Sequence, residues 1–524
     1  MKTQTTWFLP RQWKLPLLIG IVFELVLLLP LWLLPADSAF AEDWNSFFVR
    51  IHAPALWLAD RLGDVDDILV LVVAPLFWAC AAYLVFILLP SFFDQKRRRF
   101  LQLALGAIVA GSLGAVMAEF LAMKAVGSYE SLPRSFTPTG DAQSLIASNS
   151  VFALDLYRHL PAQPGNLIFS PYSVSAALAM TCAGARGQTE AEMTNALHFS
   201  LPPDKLHPAF GELVARLAKL ERPNRITLQV SSSLWCQKRY PFTTAFLRVL
   251  ASDYRAEARS VDFAAAPKTV SDEINAWAAR STDGKITHVV QPSHFGPDTT
   301  LVLCNAIYFK GRWRTQFKPG DTKPAQFHVG TNQDVTAQMM HQKCNCKLAS
   351  LFDWMGDSIS MQIIELPYFG GDLSMVIFLP QDVDGLPALE QQLTEQNLRQ
   401  WLGKLNTARE HDVWVSLPRF KTVQSFDLKP ALQSLGVRLA FGGGADFSGM
   451  DGTKWLYLSK ALQQAFVEVN EQGTEAAMVT AGRVKTKSAA DRFIADHPFL
   501  FLIRDCASGG ILFMGRIVDP TRAN

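Results

Sequence analysis

The chain has 524 residues, 49% hydrophobic and 18% charged, with Lys+Arg 49 against Asp+Glu 47. That composition excludes a disordered or collagen-like chain, and the balanced charge gives no global basis for nucleic-acid binding. Seven cysteines are too few to staple a chain of this size as a disulfide scaffold.

The deficit of charge lies in the first 125 residues. Residues 17–34 are almost all apolar around Glu24, residues 68–90 carry no charge, and residues 101–123 are broken only by Glu119. About 20 apolar residues span a bilayer core as a helix, so transmembrane helices are expected at about 15–34, 68–90 and 101–123. Gly106, Ala110 and Gly114 give the third span a small-residue face suited to close helix packing. Lys2, Arg11 and Lys14 precede the first span, and Lys96, Arg97, Arg98 and Arg99 separate the second from the third. The 36–67 connection is acidic instead, with Asp37, Glu42, Asp43, Asp60, Asp64, Asp66 and Asp67. The positive-inside rule puts the N-terminus in the cytoplasm and everything beyond the third span outside. Residues 47–59 are apolar but short and interrupted, as in an interfacial helix.

Residues 124–140 contain Pro133, Pro138 and Gly140 in their last eight positions and read as a linker. From residue 141 to 524 the composition is that of an ordinary globular domain. Residues 144–160 place Leu145, Val151, Phe152, Leu154, Leu156 and Tyr157 at helical spacing. Ser170-Pro171 opens a further helix as cap and first residue, with an end near Gly184. Strands are expected at 227–235, 301–309, 360–367, 373–380, 412–418, 465–469, 499–503 and 511–517. The sum is an α+β domain with mostly antiparallel sheets.

No Gly-x-Ser-x-Gly elbow, Walker loop, His-Glu-x-x-His or paired Cys-x-x-Cys is present, so no catalytic residues are assigned. His341, Cys344 and Cys346 hint at a metal site but lack a fourth ligand. A Cys-x-Cys in a strand turns both thiols to one face, and buried thiols are the reading preferred. Residues 471–491 stand out. They lie between strong strands and are far longer than an ordinary connection. Yet Thr474, Ala476, Met478, Thr480, Gly482, Val484 and Thr486 form one uncharged parity. Glu475, Arg483, Lys485 and Lys487 fall on the other. This is the pattern of a strand with one face in a sheet and one in water.

Five ordered motifs resemble the serpin family. They are Asn166-Leu167-Ile168-Phe169-Ser170-Pro171-Tyr172-Ser173, Gly184-Ala185-Arg186-Gly187-Gln188-Thr189, and Asn305-Ala306-Ile307-Tyr308-Phe309-Lys310-Gly311-Arg312-Trp313. Val469-Asn470-Glu471-Gln472-Gly473-Thr474-Glu475-Ala476-Ala477 follows, and Phe493 to Phe501 with Phe513-Met514-Gly515-Arg516 completes the set. The resemblance covers residues 141–524 and leaves the membrane region outside. It implies helices packed on three mostly antiparallel β-sheets with an exposed reactive loop. It also implies inhibition of a serine protease by loop cleavage and insertion, with no cofactor. The hinge would be Glu471, Gly473, Thr474, Glu475, Ala476 and Ala477. Counting from Gly473 puts the cleaved bond at Lys487–Ser488. Counting back from Phe493 puts it at Lys485–Thr486, because the stretch after the bond is about two residues shorter than the family's. A Lys at either place implies a trypsin-like partner.

The resemblance further implies a gate under the main sheet built from Ser170, Ser173, Asn305 and Gln463. The family's usual His there is replaced by Gln463, which bonds but does not titrate. Met478 is bulkier than the family's small residue on the inserting face, which slows insertion and favours simple cleavage. Three functions remain open. The first is a multi-pass membrane protein whose external or periplasmic domain inhibits a protease, with lipid bilayer and protease as partners. The second is a non-inhibitory serpin that binds or scaffolds at the membrane. The third is a membrane enzyme or transporter regulated by the outer domain.

Overall fold

The computed structural model describes residues 136–160, 165–222, 225–352, 359–471 and 491–522. All belong to the second of two compact units, which begins at Glu130. The spans expected at 15–34, 68–90 and 101–123 lie outside the described residues. Among the described residues, no helix is long and apolar enough to cross a membrane.

Helix α1 (Gly140–His159) begins under the Thr139 side chain, which accepts from the Ala142 N–H. Asp141 in its first turn and Arg158 in its last suit the helix dipole. Strand β1 (Leu167–Phe169) leads into helix α2 (Pro171–Cys182). Ser170 caps α2 by accepting from the Ser173 N–H at 3.2 Å, and every residue of α2 is buried. With small and apolar residues on every side, α2 keeps no solvent face and lies in the core of its unit. Helix α3 (Gly187–Ala196) and helix α4 (Pro203–Leu220) follow.

Five strands form the main sheet in the order β10-β11-β4-β2-β3. They are β2 (Ile226–Gln237), β3 (Glu257–Val261), β4 (Leu301–Gly311), β10 (Phe420–Asp427) and β11 (Leu458–Val469). Side chains alternate across this sheet as strand geometry requires. Leu301, Leu303, Ile307 and Phe309 of β4 join the large core with α2, whereas Val302, Cys304, Ala306 and Tyr308 face the other way. That second face is covered by helix α5 (Pro267–Ser281), through Val270, Ile274 and Trp277.

The remaining strands form one nine-stranded sheet, β1-β14-β13-β8-β7-β6-β9-β12 with β5 paired on β6. They include β5 (Lys323–Gly330), β6 (Gln333–Phe352), β7 (Ile359–Pro367), β8 (Leu373–Pro380) and β9 (Glu410–Pro418). The last three are β12 (Asp491–Ile494), β13 (Phe499–Asp505) and β14 (Ile511–Ile517). Three sheets were expected, and the described residues form two. The reason is the length of β6, 20 residues. It pairs with β9 along Met339–Lys347 and then with β7 along Lys347–Phe352, which runs two sheets into one.

The expected strands at 373–380 and 511–517 match β8 and β14, the one at 465–469 is the end of a β11 that starts seven residues earlier, and the others are lengthened by one to three residues. Strand β6 itself has no counterpart in the sequence reading. Polar and half-buried residues fall on both of its faces, so no period of two is visible in it.

Candidate functional site

The main sheet is antiparallel on both sides of its centre, at β2–β4 and β10–β11. At the centre, β4 and β11 run parallel, paired from Leu301↔Leu458 to Phe309↔Val467. The chain leaves β11 at Val469, and residues 472–490 connect it to β12 in the other sheet. A segment folding back from Glu471 would run antiparallel to both β4 and β11. Placed between them, it would replace one parallel ladder by two antiparallel ones, which are more stable per residue.

Four polar side chains meet behind this seam. Gln463 lies directly across from Asn305 in the β4–β11 register. Its amide donates to Asn305 Oδ1 at 2.9 Å and to the Ser170 carbonyl at 3.1 Å, and its Oε1 accepts from the Ser170 N–H at 3.2 Å. The Asn305 amide donates to Ser173 Oγ at 2.5 Å and to Ser232 Oγ at 3.0 Å. Ser170 Oγ donates to the Leu512 carbonyl at 2.6 Å. All four of Ser170, Ser173, Asn305 and Gln463 are buried. They tie the N-terminus of α2 to both strands of the seam, and a strand entering between β4 and β11 must part Gln463 from Asn305.

The root of the connection is pinned as well. The carboxylate of Glu471 is buried and accepts from the Arg419 guanidinium and the Thr322 hydroxyl. Its backbone carbonyl accepts from the Phe317 N–H at 2.9 Å. Trp313 Nε1 donates to the Asn470 carbonyl at 3.0 Å, and the Trp313 ring stacks on Tyr368 at 4.5 Å with 9° between planes. Arg419, Thr322 and Phe317 were absent from the sequence reading. They lie in connections between elements, and nothing local to them signals a contact with residue 471.

On the far side, β12 pairs in parallel with β9, and the Ala495 N–H donates to the Ser416 carbonyl at 2.9 Å. The remaining hinge residues Gly473, Thr474, Glu475, Ala476 and Ala477 lie outside the described residues. So do the bond residues Lys485, Thr486, Lys487 and Ser488, and Met478.

The suspected metal ligands diverge. Cys344 and Cys346 are buried on one face of β6 with their sulfurs 2.9 Å apart. The hydrogen bond with Cys344, and then burial, hold the Cys346 thiol far above the usual range. His341 has the opposite parity and bonds Ser416 Oγ at 2.8 Å. Among the described residues, no group of three His, Cys, Asp or Glu side chains is placed to hold a metal ion.

A family profile described as serpin (serine protease inhibitor) matches residues 147–520. The chain belongs to the serpin family. It is 42% identical over 388 residues to the leukocyte elastase inhibitor of Bos taurus, covering 72% of this chain and all of that protein. It is 37% identical to Serpin B3 of Homo sapiens over 397 residues, with the same coverage. Among solved structures, uncleaved ovalbumin aligns with a TM-score of 0.64 at 30% identity, over 72% of this chain and all of that one. Human thyroxine-binding globulin complexed with thyroxine aligns at 0.65 and 28%, over 73% of this chain and all of that one.

The serpin motifs outside the seam have structural tasks in this chain. Asn166 fixes the tail, its Oδ1 accepting from the Val518 and Asp519 N–H groups at 2.8 and 2.9 Å. Arg516 reaches Glu390 at 2.8 Å. A Cβ on Gly515 would stand 2.3 Å from the Leu167 carbonyl oxygen, so only glycine lets β1 pair with β14 there.

Proposed function

We propose that this serpin is a membrane-tethered inhibitor that acts as a suicide substrate for a trypsin-like serine protease. The observation that carries the reading is the parallel β4–β11 pair flanked by the antiparallel pairs β2–β4 and β10–β11, with residues 472–490 leaving from the end of β11. The protease serine attacks the carbonyl of Lys487, the bond to Ser488 breaks, and the acyl ester tethers the enzyme to the upstream part of the loop. That part then enters the seam as a strand. Its uncharged parity, Thr474 to Thr486, turns toward the core face on which Asn305 and Gln463 lie. Insertion adds on the order of ten backbone hydrogen bonds, each worth about 1 kcal/mol net, which favours the inserted state and carries the ester away from its starting geometry. Inhibition then rests on insertion outrunning deacylation.

The basic residues at 485 and 487 support a trypsin-like partner, whose acidic pocket receives one cation. A second reading, an elastase-type partner, is favoured by the relatives, which are leukocyte elastase inhibitors at 42% and 41% identity. The full chain in detergent is to be mixed with trypsin and, separately, with leukocyte elastase. An SDS-stable adduct with trypsin and a released peptide beginning at Ser488 is expected. A peptide beginning at Thr486 moves the bond to Lys485, an adduct with elastase alone favours the second reading, and cleavage without adduct makes the protein a non-inhibitory serpin.

Tethering rests on the apolar spans and their flanking charges. It puts the N-terminus in the cytoplasm and the serpin domain outside the cell or in the periplasm. A reporter fused after Asn524 should be active only in that external compartment, and cytoplasmic activity would remove the three-span arrangement.

A further inference from the structure

Strands β6, β9 and β12 lie side by side, and their outward faces carry a patch that the loop mechanism does not use. Trp414 is 51% exposed, although Val413, Val415 and Leu417 beside it on β9 are buried. In the register it stands between Lys343 of β6 and Arg492 of β12. One step along, Ile494 of β12 is 42% exposed and opposes Ser416. Strands lie about 4.8 Å apart, so Lys343, Trp414 and Arg492 make a row about 10 Å wide.

The charges of the patch are unequal in availability. Lys343 is held by Asp412 at 2.9 Å, and Asp491 by His411 at 3.0 Å. Among the described residues, no carboxylate pairs with the Arg492 side chain. Trp414 and Ile494 leave apolar surface in water beside a guanidinium that no described carboxylate neutralises. Trp and Arg are also the residue types that dominate binding energy when an interface covers them.

The occupant follows from chain continuity. Arg492 is four residues beyond Ser488, at most about 14 Å along the chain, or about 22 Å from Thr486 if the bond follows Lys485. A folded domain of about 220 residues has a radius of gyration of about 17 Å, so a protease seated on either bond is large enough to reach this face. We propose that Trp414, Arg492 and Ile494 form a second contact surface for the attacking protease, selecting enzymes that carry an apolar patch with a carboxylate beside the active-site cleft. The loop sets which bond is cut, and this face sets which of several trypsin-like enzymes is captured fastest. The proposal rests on the inhibitor reading above.

The test measures second-order association rates and adduct stoichiometry for the full chain in detergent with anionic and with cationic trypsin, which share a preference for cutting after Lys and Arg. Variants Trp414→Ala and Arg492→Glu are compared with wild type, and Trp455→Ala, another exposed tryptophan, serves as the control. Wild type should capture anionic trypsin about tenfold faster at low salt, with the advantage shrinking as salt rises. Arg492→Glu should lose most of that advantage, Trp414→Ala should slow capture without changing its salt dependence, both with unchanged adduct stoichiometry, and Trp455→Ala should match wild type. Adducts that form at equal rates in every variant would overturn this proposal and leave the inhibitor reading standing. That same result, with Trp414 becoming protected from oxidation when the full chain is reconstituted in liposomes, would assign the patch to lipid. A wild-type chain that forms no adduct with either trypsin would remove both readings.

Discussion

Gln463 holds the seam closed by satisfying three groups at once, the Ser170 N–H, the Ser170 backbone carbonyl and the Asn305 side-chain Oδ1. Gln463→Ala leaves the Ser170 N–H and Asn305 Oδ1 without those partners, at about 1–3 kcal/mol each. The expected result is a lower urea midpoint for the uncleaved protein and a smaller change in the cleaved one, where the seam would already be parted. Equal losses in both forms would show that the cluster is ordinary core. His497 offers a separate reading of pH. Burial lowers its pKa, but the Asp496 carboxylate at 2.8 Å, the Pro380 carbonyl at 2.8 Å and the charges of Asp496 and Asp382 outweigh that and raise it. A raised folded-state pKa contributes stability that is fully present below the ordinary value of about 6.5 and is lost as pH rises through the folded value. Thermal melts from about pH 6 to about pH 9 should therefore fall more steeply for wild type than for His497→Gln. Parallel curves would mean that the imidazole is not the source.

At the scale of elements, the argument turns on which strand neighbours which. Strand β4 belongs to two partners, antiparallel to β2 and parallel to β11, and only the second pairing leaves room for an antiparallel guest. Thr474 is the first residue of the uncharged parity beyond the hinge glycine. Thr474→Arg puts a charge into the sheet interior, at a cost of several kcal/mol if it is buried unpaired. Trypsin should then cut the variant at the wild-type rate but leave no SDS-stable adduct. An undiminished adduct yield would count against strand insertion.

For the whole molecule, loop insertion means that the uncleaved fold is not the most stable arrangement of its chain. Cutting an ordinary surface loop leaves stability equal or lower. Cutting this one should raise it, since the freed segment gains backbone partners on both edges. A melt of the full chain before and after a single trypsin cut, with the new terminus sequenced, should show a higher Tm for the cut form. A cut within residues 483–488 without a rise would leave a serpin fold without a stored driving force, and the non-inhibitory reading would take its place.

Local chemistry is enough to mark α2, because Ser170 and Pro171 dictate a capped start. It also marks β8 and β14, because short apolar runs between turns have few other solutions. The alternating parity of residues 474–487 is equally a property of the sequence, fixed by a period of two whatever surrounds it. The motif at Phe513 to Arg516 marks the fold because backbone geometry admits only glycine at position 515, against the Leu167 carbonyl. Tertiary structure alone decided the parallel seam, since strand order and direction depend on connections that no window of residues contains. It also decided the burial of Glu471 against Arg419 and Thr322, the fusion of two sheets through β6, and the exposure of Trp414. Each of these is a long-range pairing, set by which distant segment completes a hydrogen bond or covers an apolar face.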